Sequence, residues 1–93
     1  MKQVLVVSGS GLATANAVRT ELIKALSDRG VKAVITAVDF KEFEDKVKKA
    51  DLVVSTMFID QKNHAVPIFN GMPFLTGVRE GDEIEKLVSA LEN

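Results

Sequence analysis

Four short apolar runs punctuate the chain: Val4-Leu5-Val6-Val7, Ala33–Val38, Leu52-Val53-Val54 and Val66–Phe69. The first is an unbroken apolar run of the kind buried on both faces of a parallel sheet. Together the four predict strands at roughly Gln3–Val7, Ala33–Val38 and Leu52–Ser55, with a short fourth at Val66–Phe69. Between the first two the period becomes helical. Ala15, Val18, Leu22, Ala25 and Leu26 form one stripe, which places a helix over Ala13–Asp28 with Gly30 closing it. Asn16, Arg19, Thr20 and Lys24 then fall mostly on the wet side.

Asp39, with Glu42 three residues later, is a capping box for a short helix. Phe40, Phe43 and Val47 give that helix one buried face, and Lys46, Lys48 and Lys49 form its solvated end. Thr56–Ala65 reads as a mostly polar loop, Asn70-Gly71 as a turn and Met72–Val78 as an apolar loop. A last helix is expected from Asp82, boxed by Glu85, burying Ile84, Leu87, Val88 and Leu91. The order β-α-β-α-β-β-α predicts an α/β fold: a single open, mainly parallel four-stranded sheet with helices on both faces, Rossmann-like in form. The fourth strand can pair in either direction, because the segment before it offers only an irregular crossover.

Composition narrows the function classes. At 93 residues the chain is expected to be one domain, 1–93, and its 46% apolar content supports a buried core. Formal charge is −1, with no basic stripe and few aromatics, so no nucleic-acid partner is expected. No apolar run reaches the roughly 18 residues that span a bilayer. The first strand follows Met1 without a signal-peptide layout, so no membrane insertion and a cytoplasmic location are expected. Cysteine is absent, which removes disulfides, thiolate metal sites and thiol chemistry. No His/Asp/Glu cluster has ligand spacing, so neither metal nor cofactor is expected.

The candidate chemistry lies in Ser8-Gly9-Ser10-Gly11-Leu12-Ala13-Thr14, between the first strand and the first helix. A glycine-rich strand-to-helix turn offers free backbone N–H groups and the positive end of the helix dipole to an anion. Ser8 sits at the C-terminal strand end, where open α/β sheets place their ligands. Gly9 and Gly11 allow close backbone approach, and Ser10 and Thr14 can donate hydroxyls. The plain alternative is a structural turn in which Ser10 or Thr14 only caps the helix. The loop lacks the lysine of a Walker motif. It half-matches a dinucleotide fingerprint, with Thr14 in place of the third small residue and Asp39 as the possible ribose acid. Arg19 could reach a phosphate but reads more simply as a solvated side chain, and His64 as a solvent-exposed loop histidine.

A third pattern is a loop that carries a covalent phosphoryl group on its first residue. In Val6–Ala15, in Ala50–Thr56, and in Val-Pro-Ile-Phe-Asn-Gly-Met-Pro-Phe-Leu-Thr-Gly-Val at Val66–Val78, the chain resembles the IIB components of the bacterial sugar phosphotransferase system, in particular the galactitol-type branch. The resemblance implies a phosphate-cradle fold. In that family a cysteine takes a phosphoryl group from a histidine of a IIA phosphocarrier protein and passes it to sugar at a membrane IIC transporter. The matching positions are Ser8 as acceptor and Gly9, Ser10, Gly11, Leu12, Ala13 and Thr14 as phosphate cradle.

The departure falls on the acceptor itself. A thiol at a helix N-terminus is partly ionised at neutral pH, whereas a serine hydroxyl is a weak nucleophile without an adjacent base. A phosphoserine ester is also a poorer donor to sugar than a phosphocysteine. Relay chemistry is therefore expected to be weak or absent. Ser8 is compatible with an engineered Cys→Ser change, a natural silent homologue or a designed chain, and a non-catalytic anion-binding or regulatory module stays open.

Overall fold

A computed structural model describes residues 1–92. Strand β1 spans Lys2–Val7, helix α1 Leu12–Asp28, strand β2 Ala33–Val38 and helix α2 Phe40–Lys46, which runs on into a 3-10 turn at Val47–Lys49. Strand β3 spans Leu52–Ser55, strand β4 Ile68–Asn70, helix α3 Met72–Thr76 and helix α4 Glu80–Glu92. The sheet order is β2-β1-β3-β4, and every pairing is parallel.

Side-chain alternation along the strands sorts the core into two layers. Val4, Val6, Leu52 and Val54 meet Ala15, Val18, Leu22 and Leu26 of α1, Phe74 of α3, and Ile84, Leu87 and Leu91 of α4. On the opposite face Leu5, Val7, Val38 and Val53 pack with Phe43 and Val47. Right-handed crossovers explain the distribution. The step from β1 to β2 runs one way across the sheet, so α1 covers one face. The steps from β2 to β3 and from β3 to β4 run the other way, so α2 and the long β3–β4 connection share the second face, where Ile59 and Val66 complete the layer. The same handedness settles the direction of β4. Its connection is irregular apart from one 3-10 turn at Gln61–Asn63, but it crosses as a helix would.

Several expected boundaries shift. The fourth strand is Ile68–Asn70, starting just after Pro67, rather than Val66–Phe69. The segment Met72–Val78 is not a loop: α3 forms there, with proline near its first position and Gly77 left-handed at its end, and it buries Pro73 and Phe74. The last helix starts at Glu80, ahead of Asp82, because Arg79 takes a positive φ of 59° and turns the chain into it. Glu85 does not box that helix; it pairs with Arg29 of the α1 terminus at 3.2 Å. Phe40 is 53% exposed rather than buried, since α2 begins where β2 ends and its first residue overhangs the strand ends.

The two phenylalanines of α2 therefore differ in weight. Phe43→Ala should cost about 3–5 kcal/mol through cavity formation, whereas Phe40→Ala should stay within about 0.5 kcal/mol. Urea unfolding midpoints of the two variants read the difference; equal losses would show that Phe40 is packed.

Candidate functional site

The C-terminal ends of β1, β3 and β4 are in register, so Val7 stands opposite Ser55 and Ser55 opposite Asn70. The residues that follow each strand leave the sheet together. Ser8 is 1% exposed. Its Oγ accepts the Ser10 N–H at 3.1 Å and the Thr56 hydroxyl at 2.8 Å. A neutral hydroxyl oxygen has two lone pairs, and both are engaged here by donors, neither of which is a base. The N–H of Thr56 donates to the Val7 carbonyl at 3.2 Å, continuing the β1–β3 ladder one residue past the strand end.

Above Ser8 the loop opens into α1. Gly11 is the N-cap residue with φ 107°, a conformation that favours glycine, and no side chain caps the helix. The first intrahelical bond is Ala15 N–H to the Gly11 carbonyl at 3.2 Å, which leaves the N–H groups of Leu12, Ala13 and Thr14 ahead of it. The plain capping role open to Ser10 or Thr14 is thus not taken up. Gly9 and Ser10 are exposed, and the Met57 side chain lies over Gly9. First-turn acidic residues are absent, so nothing on the helix itself competes for its positive end.

Neighbouring segments hold this edge in place. Ser55 is buried, and its Oγ closes a small turn with the carbonyl and N–H of Met57 at 2.8 and 3.1 Å. Gly71 donates its N–H to the Ser55 carbonyl at 2.7 Å, and a Cβ there would stand 3.2 Å from Ser55 carbonyl carbon and from Val54. Glycine is what lets the β4–α3 turn press against β3.

Other sequence candidates fall elsewhere. Asp39 accepts the Glu42 N–H at 3.1 Å and serves as the α2 cap. Arg19 is half-buried and tied to the sheet rather than free in solvent; its Nε donates to the Ile35 carbonyl of β2 at 2.7 Å. His64 is not solvent-exposed either. Its side chain is 11% exposed, stacked at a tilt on Phe43, with Nδ1 3.0 Å from the Asp60 carbonyl and Nε2 3.1 Å from the Glu44 carboxylate. The direct contact of Thr56 with Ser8 went unread in the sequence. The signal for it was the adjacency of β1 and β3, which places Thr56 beside Ser8 once Val7 is set opposite Ser55.

With this geometry in view, the chain matches the family described as PTS system, Lactose/Cellobiose specific IIB subunit over residues 3–86, and it belongs to that family. It is also similar to the Escherichia coli (strain K12) protein whose name reads "Putative phosphotransferase enzyme IIB component SgcB", with 28% identity over 91 residues, 98% of this chain and 97% of that protein. Among the described residues no helix is long and apolar enough to cross a membrane.

The histidine contact carries a pH signature. Both ring nitrogens face acceptors, which suits the doubly protonated ring. The Asp60 carbonyl and then the Glu44 carboxylate raise the His64 pKa above 6.5, against a smaller opposing effect of burial. A raised folded-state pKa stabilises the fold fully below 6.5 and ceases to do so as pH climbs through the raised value. The native chain should therefore exceed Glu44→Gln in urea midpoint at pH 6, with the gap narrowing at pH 9. A gap independent of pH would rule the pair out as its source.

Proposed function

We propose that this chain is a single phosphoryl-carrier domain of IIB type in the galactitol-type branch, working in the cytoplasm between a IIA phosphocarrier protein and a membrane IIC sugar transporter. Position 8 is the acceptor, and Gly9, Ser10, Gly11, Leu12, Ala13 and Thr14 form the phosphate cradle. One observation carries the reading: at the edge where three parallel strands end, the loop after Ser8 turns the Ser10 N–H back onto the Ser8 side-chain oxygen and runs into an uncapped helix start. Membership of the IIB family supports the relay, and the Val66–Val78 block supports the branch.

The same geometry supports impaired transfer to this serine. Accepting a phosphoryl group from a IIA histidine breaks an N–P bond, forms an O–P bond and releases the hydroxyl proton. The two groups hydrogen-bonded to Ser8 Oγ are a backbone N–H and a neutral hydroxyl, and neither is basic enough to take that proton. A thiolate carries no such proton. The engaged lone pairs of Ser8 also favour a second reading, in which the loop holds phosphate or a phosphorylated partner without a covalent bond.

Apolar side chains cluster on the segments that leave the same edge. Leu12, Phe58, Met72, Leu75 and Val78 are all exposed, Phe58 by 88%. A phosphocarrier partner has to bring its histidine to this edge, and exposed apolar surface there suits docking.

Intact mass after incubation with a phosphorylated IIA donor separates the readings. Ser8→Cys should gain one phosphoryl group, with the native chain at least about tenfold slower, because a thiol is partly ionised near neutral pH and a serine hydroxyl without a base is not. If both gain it equally, serine is a working acceptor. If neither does while the donor phosphorylates another IIB, the non-covalent reading stands.

A further inference from the structure

The two donors that meet at position 8 do more than occupy a serine. Thr56 is not held as loosely as its place in a long connection suggests. Its N–H extends the β1–β3 ladder at 3.2 Å, and on its other side Ser55 closes a turn onto Met57. The hydroxyl is thereby aimed across the strand gap, 2.8 Å from Ser8 Oγ. The Ser10 N–H arrives at the same oxygen from the loop at 3.1 Å. Position 8 is buried to 1% exposure, so water competes little with either bond.

Two donors converging on a buried atom form a site that favours negative charge on it, because hydrogen bonds made to the charged form of an acid lower its pKa. The open helix start adds to this. A serine cannot exploit such a site at neutral pH. A thiol, with an ordinary pKa of about 8.5, can. As a thiolate it accepts both bonds and keeps a further lone pair for attack.

We propose that Thr56 is a positioning residue for the acceptor: its hydroxyl, fixed by the β1–β3 ladder, pairs with the Ser10 N–H in a site built to hold a thiol at position 8 as its anion, a role that Ser8 leaves unused. This rests for its functional meaning on the relay reading, although its chemistry is measurable without any donor protein.

The test is the pH dependence of iodoacetamide alkylation in three chains: Ser8→Cys, Ser8→Cys with Thr56→Val, and Ser8→Cys with Thr56→Ser. The Ser8→Cys thiol should titrate below the ordinary value. Thr56→Val should raise its pKa by about one unit, a tenfold loss of thiolate near neutral pH, and Thr56→Ser should restore it. Thermal melts by circular dichroism establish that each chain folds, and Thr56→Ala replaces the valine variant if that one does not. A thiol that titrates alike with threonine, valine or alanine at position 56 overturns the proposal, as does failure of serine to restore the shift. A shift that tracks Thr56 in a Ser8→Cys chain that never accepts phosphate removes the relay reading and leaves this assignment standing; acceptance without the shift does the reverse.

Discussion

The parallel register of β1 on β3 is the constraint from which the rest of the site follows. Val4, Leu5, Val6 and Val7 pair with Leu52, Val53, Val54 and Ser55, and the apolar members of both strands are buried on one face or the other. A slip by one residue would exchange the two faces and move the whole apolar set away from its partner helices. The register is therefore set by burial on both sides, and it fixes which residues emerge together at the strand ends. Ser8 and Thr56 meet because Val7 and Ser55 do. The glycine after β4 then closes against Ser55, so three strand ends contribute to a single edge.

That edge has a consistent electrostatic character. The helix start, the Ser10 amide and the Thr56 hydroxyl are all donors. The acids nearest in sequence logic are committed elsewhere, with Asp39 capping α2 and Glu44 holding His64. A serine set in such surroundings has its oxygen met by donors and no base beside it. On the relay reading proposed above, the arrangement suits an acceptor that carries its own negative charge better than it suits a serine.

Much of the fold was legible in the sequence, since the two central strands are unbroken apolar runs and α1 has a regular stripe. The layer order and the helices on both faces followed from connection handedness. What escaped reading did so for physical reasons. Helix α3 is five residues long, too short for periodicity, and its evidence lay in Pro73 and Gly77 as boundary residues. Phe40 matched a helical spacing, but spacing alone does not reveal that a helix begins beyond the strand ends. His64 looked solvated because its loop is polar, and only the return of that loop over α2 brings the ring onto Phe43. The candidate loop was visible from its glycines and its place between strand and helix. Its partner across the strand gap required knowledge of which strands are neighbours.

Arg19, tied to the Ile35 carbonyl, has an effect on the loop it does not touch. The segment from Gln3 to Val18 contains no lysine or arginine, and the first cation downstream is bound to the sheet. An anion at the helix start is therefore met by backbone dipoles and hydroxyls without a full countercharge from that helix. Such contacts direct an anion without supplying a full charge to hold it. On the relay reading proposed above that is an asset: a relay stalls when the cargo sinks too deep in any one station, and a cradle made of dipoles would let go as readily as it takes hold.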